Sequence, residues 1–86
     1  MIPRLVVSRI TKPYWERIPE EERTAIVAAI PDGMSLVLYP GHHAKPGTTT
    51  VSLRTADRNM LLQEERGTGL ASMCRTVLGR EARARG

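Results

Sequence analysis

With 86 residues, 41% of them apolar and 26% charged, the chain can build one small core and no second domain, and its composition is that of a folded protein, not a disordered one. The lone cysteine, Cys74, excludes an intrachain disulfide and a cysteine-based zinc cluster, and it points to a reducing, cytoplasmic setting. No apolar run approaches the length of a membrane span, and the N-terminal run MIPRLVVSRI is too short to be expected as a signal-peptide core.

The net charge of +4 is unevenly spread: residues 1–43 hold five basic and five acidic side chains, and residues 44–86 hold eight basic against four acidic. Seven of those eight are arginines, whose planar fork suits phosphates and carboxylates, so an anionic partner is the natural reading of the second half. Aromatics are limited to Tyr14, Trp15 and Tyr39. The core therefore has to come from Leu, Val, Ile, Met and Ala, and pairing into a homodimer would add to it.

Taken in chain order, RLVVSRI at residues 4–10 is β-branched and partly alternating, which predicts a first strand. Pro13 stops that ladder, having no amide proton to donate. Residues 18–33, IPEEERTAIVAAIPDG, predict a helix. Pro19 sits in the first turn, three glutamates lie near the positive end of the dipole, and Pro31, Asp32 and Gly33 end it. A second strand, MSLVLYP at 34–40, carries apolar residues on both faces, as a central strand does. Loop chemistry follows in Pro40, Gly41, Pro46 and Gly47, and a third strand, TTTVSLR ending at Arg54, returns as the other arm of a wide hairpin.

Residues 56–66, ADRNMLLQEER, read as a short helix stopped by Gly67. From Thr68 to about Arg83, Leu70, Met73, Cys74, Val77 and Leu78 recur at i, i+3, i+4, i+7 and i+8, the stripe of an amphipathic helix. Residues 80–86 then read as a frayed basic tail. The expected fold is a single α+β domain over 1–86, in the order β-α-β-β-α-α, with helices on one face of a small antiparallel sheet.

Few residues offer chemistry. His42 and His43 are adjacent, and neighbours on an extended segment point to opposite sides, so the pair is badly placed to chelate one metal. GHHAKPGTTT resembles a phosphate-binding loop in composition only: Lys45 precedes Gly47, Pro46 removes an amide, and a strand follows where that motif needs a helix. Cys74 falls on the apolar stripe, the place of a small buried hydrophobe. Glu20, Glu21 and Glu22 suit a helix first turn better than an acid and base pair. The reading is of a non-enzymatic protein with no metal and no cofactor.

Residues 50–78 resemble the ribbon-helix-helix DNA-binding family, on the strand TVSLR and on GTGLASMCRTVL with its glycine turn and apolar-Arg-x-apolar-Leu ending. The resemblance implies paired strands in the major groove of an intertwined dimer, with Thr50, Ser52 and Arg54 turned toward bases. The expected function is a duplex-DNA-binding regulator, in which the Arg-rich second half supplies Arg54, Arg58, Arg66, Arg75, Arg80, Arg83 and Arg85 as phosphate contacts. The alternative is a protein-binding inhibitor of the kind found among phage and mobile-element products, such as anti-CRISPR proteins. It would act through the hairpin loop and its surroundings, with Trp15, Tyr39, His42, His43 and Lys45 as contacts, Trp15 being either an exposed anchor or a core residue packed against the first helix.

Overall fold

A computed structural model describes residues 3–41, 47–57 and 60–85. The order of elements is β1 (Leu5–Val7), α1 (Lys12–Glu16), α2 (Glu20–Ala28), β2 (Met34–Pro40), β3 (Thr49–Thr55), β4 (Leu61–Gly67) and α3 (Leu70–Arg85). The four strands form one sheet in that same order. Helices and sheet share a single core, so the domain is α+β, with its helices on one face of the sheet.

The sheet is mixed, not antiparallel throughout. β1 runs parallel to β2, with Leu5, Val6 and Val7 opposite Leu36, Val37 and Leu38. Parallel neighbours need a crossover, and α1 with α2 supplies it. β1 stops at Val7, short of the strand expected over residues 4–10, so Pro13 does not end it; Pro13 instead serves the opening turn of α1, where a missing amide proton costs nothing. In α2, Pro19 holds the N-cap position with extended backbone (φ −54°, ψ 143°) and the three glutamates follow in the first turn. The chain then turns at Gly33, whose φ of +80° is left-handed and favours glycine.

β2 and β3 pair antiparallel, with Leu36 opposite Leu53 and Leu38 opposite Val51. Those four side chains are wholly buried and form the sheet's share of the core. The hairpin is closed where the Gly41 amide donates to the Thr48 carbonyl at 2.8 Å. A Cβ on Gly41 would come within 2.5 Å of Thr48 Cγ2 and 3.0 Å of the Thr48 carbonyl carbon. Gly41→Ala is therefore expected to pry the neck apart, costing about 1–3 kcal/mol, and a thermal melt against wild type reads the loss.

Residues 61–67, expected to be helical, form β4, antiparallel to β3. The reason lies in β3, which runs through the core with five consecutive buried residues, Thr49 to Leu53. Its main chain faces β2 on one side only, and without a fourth strand the other row of amides and carbonyls would be buried unpaired. That tertiary requirement overrides the weak local preference of LLQEER. The turn into β4 is tied by Thr55, whose hydroxyl donates to Asp57 Oδ1 at 2.6 Å and whose amide donates to the Met60 carbonyl at 3.0 Å. With β4 in place, the strand-helix-helix order implied by the ribbon-helix-helix resemblance has a strand where that family has its first helix.

One further expectation changes, and the open choice for Trp15 falls to the core. Residues 80–85 are not frayed, because α3 continues to Arg85, and Glu81 completes its buried stripe. Trp15 is not a surface anchor; it is 8% exposed and packs in the core with Ile18, Ile26 and Ile30. A core with no Phe takes up its one large ring.

Cys74 lies in the same core, and burial pushes its thiol up from 9.0 to about 12. The folded thiol thus stays neutral where the unfolded one ionises. Its contribution is intact below pH 9 and is lost as pH rises from 9 toward 12, by up to about 1.4 kcal/mol per pH unit. Cys74→Ala is expected to flatten the fall in melting temperature between pH 9 and 10.5 relative to wild type. Native protein should also resist iodoacetamide at pH 8 and react when unfolded.

Candidate functional site

Two uncovered surfaces carry the polar side chains singled out in the sequence. The first is the sheet face opposite the helices. Alternation along each strand puts Val37 and Tyr39 of β2, Thr50, Ser52 and Arg54 of β3, and Glu64 and Arg66 of β4 on this side. Tyr39 Oη donates to Glu64 Oε2 at 3.2 Å, Arg66 lies 3.6 Å from the other Glu64 oxygen, and Arg54 Nε donates to Ser52 Oγ at 3.4 Å. These long side chains close over the small ones between them. Thr50 and Ser52 are consequently buried, at 1% and 0% exposure, although no helix covers this face. Arg54 and Arg66 stay accessible, and the two hydroxyls expected to read bases lie beneath the surface layer.

The second surface is the outward side of α3. Its buried stripe of Leu70, Met73, Cys74, Val77, Leu78 and Glu81 fixes the helix's rotation on the sheet. The opposite stripe at i, i+4, i+7 and i+11 is Ser72, Thr76, Gly79 and Arg83, flanked by Arg75 on one side and Arg80 on the other. Ser72 and Thr76 are the small residues of its middle, Gly79 also borders a groove toward α2, and the Arg83 guanidinium lies over Gly79. Arg75 pairs with Glu22 of α2, and Arg80 pairs with Glu65 of β4 at 2.9 Å. Both are solvent-exposed pairs of the kind worth at most about 1 kcal/mol, readily exchanged for another anion. Arg83 and Arg85 have no carboxylate partner among the described residues.

The expected contacts are therefore divided. Arg54, Arg66 and Tyr39 share the open sheet face; Arg75, Arg80 and Arg83 share the outer side of α3; and Trp15 is in the core. His42, His43, Lys45 and Arg58 lie outside the described residues. Among the described residues, no group of three or more His, Cys, Asp or Glu is placed to hold a metal ion, and no helix is long and apolar enough to cross a membrane.

Sequence reasoning missed Glu22, Glu64 and Glu65 as partners. Glu64 and Glu65 face opposite sides of an edge strand, one reaching Tyr39 and the other Arg80, a division invisible when the segment is read as a helix. No family model, curated protein or solved structure matches this chain.

Proposed function

We propose that this protein is a non-enzymatic, cytoplasmic regulator that binds duplex nucleic acid with the outward face of α3. The observation that carries this reading is the arrangement of Arg75, Arg80 and Arg83 around the small residues Ser72, Thr76 and Gly79. Arg75 and Arg83 are eight residues apart, about 12 Å along a helix, a spacing comparable to the width of the major groove, roughly 12 Å. A helix laid at the groove can thus reach the phosphates on both rims. Apart from the buried Glu81, α3 carries no acidic residue to oppose this.

Scarcity of exposed aromatic rings favours a duplex over a single strand, whose bases need rings to stack on. Arg54 and Arg66, on the far side of the sheet, have no part in this contact. The test is binding of the protein to a mixed-sequence duplex at low and moderate salt, with its mass in solution recorded in the same run. Binding that weakens steeply with salt is expected, and a dimeric mass would show that two copies of α3 act together. No binding at low salt would overturn the reading.

A further inference from the structure

β1 forms the opposite edge of the sheet from β4. Its pairing with β2 uses the main chain of alternate residues: the Arg4 carbonyl accepts from Leu36 at 2.7 Å, and the Ser8 amide donates to Leu38 at 2.8 Å. In a parallel ladder the intervening residues Leu5 and Val7 then turn their amides and carbonyls away from β2. Among the described residues, none of these groups has a hydrogen-bond partner outside the strand ladder. An open strand edge is a template for another strand.

Beside that edge runs a groove of about 470 Å³, lined by Leu5 of β1, Trp15 of α1, and Glu20, Arg23, Thr24, Val27 and Ala28 in and around α2. No β2 residue lines it, so it lies on the free side of β1. Its floor is Leu5, Trp15 and Val27, while Glu20, Thr24 and Ala28 are exposed at its mouth. The volume is within the range of small-ligand clefts, roughly 300–1,000 Å³. The groove's own charges, Glu20 and Arg23, balance, and the positive excess lies along the β1 segment: between Pro3 and Trp15 it carries Arg4, Arg9 and Lys12 and no carboxylate before Glu16. Arg9 and Lys12 are exposed and have no carboxylate partner among the described residues.

We propose that this edge and groove bind an extended segment of a partner protein that adds to β1 as a fifth strand and alternates apolar with acidic side chains. The free main-chain groups of Leu5 and Val7 pair with its backbone. Every second side chain then enters the groove against Leu5 and Val27, and the intervening acidic ones turn to the opposite face, the side of Arg4, whose guanidinium also donates to the Ile30 carbonyl, while Arg9 and Lys12 add positive charge at the end of the strand. The site is separate from α3 and stands whether or not α3 binds nucleic acid.

Trp15 is the only tryptophan and lines the groove, so its fluorescence reports occupancy. The probe is an end-capped eight-residue peptide alternating leucine and glutamate, compared with a leucine and lysine version and with two forms N-methylated at either the leucines or the glutamates. A saturable change in Trp15 emission is expected with the acidic peptide. Binding should be at least tenfold weaker for the lysine version and for one of the two methylated forms, since only one set of amides faces β1. Ala28→Glu, which adds both bulk and like charge at an exposed groove position, should weaken binding of the acidic peptide similarly without disturbing the core. Three results would overturn the proposal: no saturable change up to about 1 mM peptide, equal binding by both methylated forms and the parent, or sedimentation as a dimer that the peptide does not dissociate, which would give the edge to a second copy.

Discussion

Replacing Arg75, Arg80 and Arg83 together with glutamine is expected to weaken duplex binding at least about tenfold at moderate salt and to reduce the slope of log K against log salt by about 3, close to one unit for each phosphate no longer neutralised. Fluorescence anisotropy of a labelled duplex over a salt series measures both. The fold should survive, because the two ion pairs removed are exposed and each is worth at most about 1 kcal/mol. The informative comparison is Arg54→Gln with Arg66→Gln, which removes positive charge from the other side of the sheet. If that pair alone flattens the salt slope and the α3 triple variant does not, the interface is the open sheet face and the proposal for α3 fails.

The largest effect on stability is expected at Leu53. Its side chain is wholly buried and sits opposite Leu36 on the helix-covered side of the sheet, beside the Leu38 and Val51 pair. Leu53→Ala removes this packing and leaves a cavity, a change that costs about 2–5 kcal/mol. For a domain of this size the melting temperature should fall by at least about 10 °C, against a total stability on the order of 5–10 kcal/mol. Leu61→Ala is the control: Leu61 is 46% exposed at the start of β4, and its loss should stay within roughly 0.5 kcal/mol. A larger loss at Leu61 than at Leu53 would contradict the register of β3 and β4.

The candidate surface was only partly legible. The arginine excess of the second half can be counted in the sequence, and the rotation of α3 follows from its apolar stripe, so Arg75, Arg80 and Arg83 can be set on its outer side from sequence alone. The ion pairs of Arg75 with Glu22 and of Arg80 with Glu65 could not be foreseen, since each joins elements far apart in the chain. Trp15 illustrates the opposite limit. A tryptophan between Tyr14 and Glu16 suits a surface as well as a core, and only the space under α2 and α3 draws it inward.

Local sequence was enough to establish the α+β class, the strands at 34–40 and about 49–54, the helix after Pro19 and the amphipathic helix from about residue 70. In each of these, periodicity and end signals agree with the burial finally adopted. It takes the assembled fold to make 61–67 a strand, to run β1 parallel to β2, and to leave β1 with an open edge beside a groove. All three depend on pairing between distant segments. Main-chain hydrogen bonds across a sheet are indifferent to side-chain identity, so a segment of weak preference such as LLQEER takes the conformation that satisfies its neighbour's buried amides and carbonyls.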